Sequence, residues 1–200
     1  MKNQKENKAI IMIEFQNDWL SANGSLNAFM QDREQFTNSV INGKKALEYA
    51  RAKNWHVVHV GYFFKDGYPE LGEKQEGMWG LIKQTQTFKI GNTGSEYHSD
   101  FIPIKGEFEV SGRTGVSAFS GSNLDAYLRN NNIQEIYLAG YALHACVEST
   151  FRDAHDKGYY ATVISDACAT FNKEIKDNFL QNIVYAFGKQ QTTEELIVNI

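Results

Sequence analysis

Apolar residues run unbroken from Ala9 through Ile10, Ile11 and Met12 to Ile13, which predicts a strand buried on both faces. Residues 35–52 then place Val40, Ile41, Ala46, Leu47 and Ala50 at helical spacing. Residues 55–63 are β-branched and aromatic and predict a second strand. Further along, the pattern predicts a short strand at 107–110, a helix at 123–130 with Ser122 as N-cap, and a strand at 134–139. A helix at 146–157, a strand at 160–165 and a helix at 173–187 follow, with a last short strand at Gln191-Thr192. Residues 64–105 hold both prolines, Pro69 and Pro103, and little periodicity; they read as a long excursion with one short helix at 78–83. Loops of that length are functional or disordered. The aromatic side chains Phe64, Tyr68, Trp79, Phe88, Tyr97 and Phe101 argue for order.

Strands alternate with helices from end to end, so the expected fold is three-layer α/β/α. Its mostly parallel, Rossmann-like sheet has about six strands. One domain over residues 1–200 is expected, with the polar residues 1–7 as a frayed tail. In such sheets ligands sit outside the carboxyl ends of the strands. Glu14 ends the first apolar run and Cys146 follows the 134–139 run by a short turn, so both project to that edge.

Composition narrows the function without naming it. Twenty basic against 24 acidic residues give a net charge of −4 with no basic cluster, which excludes a nucleic-acid footprint. The apolar run at 9–13 is too short for a signal-peptide core or a membrane span. Two cysteines, Cys146 and Cys168, are too few for a disulfide framework, and a reducing, cytoplasmic setting is expected.

Cys146 opens a predicted helix. A thiol there lies near unpaired backbone N–H groups and the positive end of the helix dipole, which lowers its pKa and favours the nucleophilic thiolate. The same N–H groups can hold an oxyanion. A small buried cysteine packing helix against sheet is the competing reading of the same residue. Cys168, after a strand in a loop-like run, reads as packing.

Three stretches resemble signatures of the isochorismatase-like cysteine hydrolases, a superfamily that includes nicotinamidases and N-carbamoyl amidohydrolases. The first is Ile13-Glu14-Phe15-Gln16-Asn17-Asp18-Trp19. The second is Arg113-Thr114-Gly115-Val116-Ser117-Ala118-Phe119, followed by Leu124 and Leu128. The third is Gly140-Tyr141-Ala142-Leu143-His144-Ala145-Cys146-Val147, with Thr150 and Asp153-Ala154 after it; the later Ser165-Asp166-Ala167-Cys168-Ala169 also fits. They occur in family order and cover roughly residues 8–190. The resemblance implies an Asp-Lys-Cys triad, and this chain departs from it twice: Glu14 replaces the Asp and Arg113 the Lys. Both changes keep the sign of the charge. Arg cannot give up its proton, so a charge-stabilising role survives the change and a proton-shuttling role does not. The implied roles are Glu14 as base, Cys146 as nucleophile, and Arg113 as the cation that orients Glu14 and stabilises the thiolate. A longer acid and a forked cation can compensate as a bidentate pair. The resemblance further implies a cis peptide between Tyr141 and Ala142, an oxyanion hole from the N–H groups of Ala142 and Cys146, and a homo-oligomer.

For substrate walls the candidates are Trp19, Phe64, Trp79, Tyr141 and Leu143, since small-molecule pockets are mostly apolar and aromatic; core packing explains each of them singly as well. His144 is close enough in sequence to Cys146 to touch substrate, or is an exposed turn residue. His56 and His59, three apart on a strand, point to opposite faces and do not chelate one metal. Nicotinamidases carry an Asp-x-His motif after the second strand; this chain has Tyr62-Phe63-Phe64-Lys65-Asp66-Gly67 there. No metal and no cofactor are therefore expected, nor a nicotinamide substrate. Isochorismate is disfavoured too, because true isochorismatases of the group work without the cysteine. No Gly-rich phosphate loop is present. The expected activity is hydrolysis of a small amide or carbamoyl compound through a thioester, with no nucleic acid or membrane partner. A non-catalytic small-molecule-binding protein on the same fold is the rival, fed by the two altered triad positions. A thiol redox sensor is a third reading.

Overall fold

The computed structural model describes residues 5–198. Six parallel strands form one sheet: β1 (Lys8–Ile13), β2 (His56–Val60), β3 (Phe108–Glu109), β4 (Glu135–Gly140), β5 (Tyr160–Cys168) and β6 (Lys189–Gln191). Their order is β3-β2-β1-β4-β5-β6. The helices are α1 (Asn17–Leu20), α2 (Arg33–Ala52), α3 (Gly77–Thr85), α4 (Leu124–Asn130), α5 (Glu148–Asp156), α6 (Lys173–Asn182), α7 (Val184–Phe187) and α8 (Thr193–Val198).

From β1 the chain winds outward one way through α2 to β2 and β3. It then returns through α4 to β4 and winds the other way through β5 and β6. Right-handed crossovers therefore place α2 on one face and α4, α5, α6 and α7 on the other, giving the expected three layers. The apolar runs of β1 and β4 follow from cover on both faces, and Ala9 to Ile13 is wholly buried.

Several boundaries moved. The expected helix at 173–187 is two, α6 and α7, broken at Ile183. β5 runs on to Cys168, so that residue ends a strand rather than lying in a loop; its thiol donates to the Leu138 carbonyl at 3.7 Å, a packing role. Ser122 does not cap α4 from the N-cap position, which Asn123 occupies, but its hydroxyl accepts from the Leu124 N–H at 3.2 Å. Within the expected tail, Lys5 and Glu6 make contacts with the rest of the chain. Lys5 Nζ donates to the Gly106 carbonyl at 2.9 Å, and Glu6 takes the Trp55 indole N–H at 3.0 Å. Residues 1–4 of that expected tail lie outside the described residues.

The excursion at 64–105 is ordered by buried polar side chains of the first signature. Gln16 donates from Nε2 to the Tyr62 and Ser95 carbonyls at 2.8 and 2.6 Å and accepts from the Tyr62 N–H at 3.0 Å. Asp18 accepts from the Phe88 N–H at 2.6 Å and from Ser25 Oγ at 2.8 Å. These groups satisfy backbone that would otherwise be buried unpaired. Among the described residues no helix is long and apolar enough to cross a membrane.

Candidate active site

β1 and β4 are neighbours at the point where the winding reverses, and a crevice opens there at their carboxyl ends. Glu14 follows β1 directly with φ 57, a left-handed conformation that costs a non-glycine residue about 1–3 kcal/mol and is typical of functional positions. Its N–H bonds the Val60 carbonyl at 2.7 Å. β4 reaches the same edge at Gly140, φ 138, where a Cβ would lie 2.0 Å from the Ile13 carbonyl oxygen. Only glycine lets the two strands close to this distance.

The Tyr141–Ala142 peptide is cis, as the resemblance implies. The helix carrying the cysteine starts earlier than expected. Residues Leu143–Val147 form one π-helical turn, closed by the Val147 N–H on the Ala142 carbonyl at 3.3 Å, and α5 continues it. The Leu143 N–H is satisfied by the Ala169 carbonyl at 2.9 Å, so the turn begins without a side-chain cap. Cys146 thus sits inside the first turn, and π turns of this kind concentrate at functional sites. The second signature docks on α5. Ser117 Oγ donates to Asp153 at 2.8 Å, and the Ala118 N–H reaches Thr150 Oγ1 at 2.8 Å.

That docking brings Arg113 to Glu14, 99 residues away in sequence. Arg113 Nη1 meets Glu14 Oε1 at 2.8 Å, with both side chains 1% exposed. The expected bidentate pair does not form. Glu14 Oε2 instead accepts the Trp19 indole N–H at 3.0 Å. Arg113 spends Nη2 on the Tyr62 hydroxyl at 2.9 Å and the Val116 carbonyl at 2.5 Å, and Nε on the Ser117 carbonyl at 3.4 Å. The fork is split because it also satisfies the turn that carries it. Burial opposes the Arg113 charge, but Tyr62, Glu14 and Cys146 outweigh it and the guanidinium stays firmly protonated.

Tyr62 was not among the sequence candidates. Its hydroxyl lies 3.8 Å from Cys146 Sγ and donates to the Gly115 carbonyl at 2.8 Å, and its ring lies 3.7 Å beneath the guanidinium. The available signal was its place just past β2, at the same sheet edge as Glu14.

The expected lowering of the thiol pKa is overturned. Burial pushes the Cys146 thiol well up, the Glu14 charge pushes the same way, and Arg113 opposes both. Desolvation here outweighs the helix terminus. Burial and the neighbouring Glu14 charge therefore favour the protonated thiol.

Glu14, Tyr62, Ala142 and Cys146 floor a cavity of about 290 Å³. After β1 the chain supplies Trp19, Leu26 and Phe29 to its walls. The excursion supplies Met78, Leu81 and Ile82 from α3, and Phe88 beyond it. His144 and Phe171 close the remaining side. Of the five expected wall residues only Trp19 lines this cavity. Phe64 is wholly buried behind Tyr62, its ring stacked at 5.2 Å, because its backbone pairs with Phe88 and Ile90. Trp79 packs edge-on against Tyr62 from outside the cavity, on the side of α3 turned toward Val116. Tyr141 points beneath α2, bonded to Ser39 Oγ at 3.0 Å between Phe15 and Phe36. Leu143 is wholly buried in the core. His144 reaches the cavity with its Nδ1 held by the Thr170 hydroxyl. His56 bonds the Tyr127 hydroxyl and His59 bonds Glu107, so both histidines have structural partners.

Known proteins resemble this chain in sequence and fold. The family model described as the isochorismatase domain matches residues 8–195. A ureidoacrylate amidohydrolase, RutB, from Caulobacter vibrioides is 29% identical over 199 residues, covering 94% of this chain and 88% of that protein. The crystal structure of N-carbamoylsarcosine amidase from Thermoplasma acidophilum superposes with a TM-score of 0.73 at 25% identity, covering 94% of this chain and 97% of that one. A cysteine hydrolase from Pseudomonas syringae pv. phaseolicola 1448A shares the fold with a TM-score of 0.80 at 21% identity, over 96% and 91% of the two chains. With its sheet order, its signature residues and this match over nearly its whole length, the chain belongs to the isochorismatase family of hydrolases.

Proposed function

We propose that the protein is a cysteine hydrolase that cleaves the C–N bond of a small amide or carbamoyl compound through a thioester. One observation carries this reading: a thiol and a neighbouring carboxylate lie on the floor of an apolar cavity, with a buried cation paired to that carboxylate from behind. The names of the relatives, a ureidoacrylate amidohydrolase and an N-carbamoylsarcosine amidase, support an amide or carbamoyl substrate.

The Glu14 carboxylate takes the thiol proton as Sγ attacks the carbonyl carbon, and the carbonyl electron pair moves to oxygen. The N–H groups of Ala142 and Cys146 receive that oxyanion. Arg113 holds Glu14 in place, and the Tyr62 hydroxyl lies 3.8 Å from the sulfur where charge builds. The intermediate collapses with cleavage of C–N, and Glu14 returns the proton to the departing nitrogen. A water, deprotonated by Glu14, then attacks the thioester carbon, Sγ leaves, and the proton passes back to sulfur. Every step uses the chain's own groups, so no metal or cofactor is called on.

Ammonia release from a panel of primary amides and N-carbamoyl compounds, ureidoacrylate included, tests the reading. The parent should turn over at least one member and Cys146→Ala none. A panel with no turnover, from a folded parent, would favour the rival binding protein.

A further inference from the structure

The reacting groups occupy one end of the cavity, and apart from His144 the rest of its lining is apolar. Leu26, Phe29, Met78, Leu81, Ile82 and Phe171 face the space where a substituent on the substrate must lie. Among the described residues no lysine or arginine lines the cavity. Arg113, the nearest cation, lies behind Glu14 and Tyr62 with its charge already paired. His144 supplies no cation either, because burial favours its neutral form. A carboxylate entering here would lose its water, meet no counter-charge and face Glu14. Such a burial is unfavourable at any reachable geometry. An aromatic or branched aliphatic group would instead exchange water for ring faces and methyl groups. At about 290 Å³ the cavity is at the small end for ligand pockets, which suits one such group beside the reacting amide.

We propose that the substrate is an amide or carbamoyl compound bearing an uncharged aryl or branched-alkyl substituent, and that the cavity rejects anionic amides; this rests on the cysteine-hydrolase reading above. Specificity is then set by α3 and the segment after α1, not by the triad. Substrates of the kind in the RutB relative's name, acrylates, fall on the rejected side.

The test compares kcat/KM for phenylacetamide and isovaleramide with that for succinamate and ureidoacrylate. The neutral amides should be favoured by at least 100-fold. Leu81→Lys places an ammonium on a half-buried wall position and should narrow that ratio at least tenfold, with a melting curve to confirm folding. Ligand-detected NMR on Cys146→Ala gives a second readout that needs no turnover. There phenylacetamide should bind and succinamate should not. Equal or better use of succinamate by the parent, or its equal binding to Cys146→Ala, overturns the proposal. No turnover of any amide, with the neutral preference kept in binding, overturns the cysteine-hydrolase reading and leaves the cavity's selectivity standing.

Discussion

Replacing Arg113 tests whether the split guanidinium is needed for the site's shape as well as its charge. Lysine keeps the charge and can reach Glu14, but it ends in a single nitrogen. The guanidinium serves Glu14 from Nη1, Tyr62 and the Val116 carbonyl from Nη2, and the Ser117 carbonyl from Nε. With the lysine nitrogen at Glu14, the two carbonyls lose their donor. A buried acceptor left unpaired costs about 1–3 kcal/mol, and the long 3.4 Å contact to Ser117 belongs at the low end. Arg113→Lys should therefore cost about 2–4 kcal/mol, a fall in Tm on the order of 5–15 °C for a chain of this size. Arg113→Ala also strands the buried Glu14 charge, worth about 3–5 kcal/mol by itself, and should fall further. Turnover should persist in the lysine variant and vanish in the alanine one. Melting curves and ammonia release on the best amide read both effects. A lysine variant that melts within 2 °C of the parent would refute the reasoning, because the two carbonyls would then have found other partners at no cost.

Glu14→Gln should abolish turnover, since an amide accepts no thiol proton; because it also leaves Arg113 buried without its counter-charge, it should destabilise by about 3–5 kcal/mol. A variant turning over at the parent rate would remove Glu14 as base. Native alkylation by iodoacetamide should reach Cys146, which lines the cavity, before Cys168, which is wholly buried with its thiol pushed up to about 12. The Cys146 rate should still be climbing at pH 9, because burial holds that thiol protonated; a plateau below pH 7 would contradict this. Away from the site, burial opposes the Glu107 charge, but hydrogen bonds from His59, Arg51 and the Ile104 N–H outweigh it and hold its pKa down at about 2. A carboxylate whose folded pKa is depressed contributes stability above its unfolded value of about 4.3 and loses it as pH falls toward the folded one. Urea melts of Glu107→Gln should accordingly lose less stability than the parent between pH 4.5 and 2; parallel acid legs would count against the assignment.

The order of strands and helices was legible because each is written in a local period, two for strands and 3.6 for helices. The apolar run at Ala9–Ile13 and the one ending at Gly140 needed no partner to be recognised. Their direction in a parallel sheet put Glu14 and Cys146 at one edge before any contact was known. The resemblance added Arg113 and the cis peptide at Tyr141. What a local pattern cannot carry is which surfaces meet. Tyr141 and Trp19 both read as aromatic residues near reacting groups, yet one turns under α2 to Ser39 and the other turns out to Glu14 and the cavity. The excursion reads as a loop with a short helix, and only its anchoring by Gln16 and Asp18 sets Met78 and Leu81 over the thiol. The thiol's own chemistry changed for the same reason. A helix start taken alone predicts a thiolate, whereas a buried helix start beside Glu14 predicts a protonated thiol. Periodicity and edge position are properties of short stretches of chain. Desolvation, counter-charges and cavity walls are sums over residues far apart in sequence, and these exist only once the chain has folded.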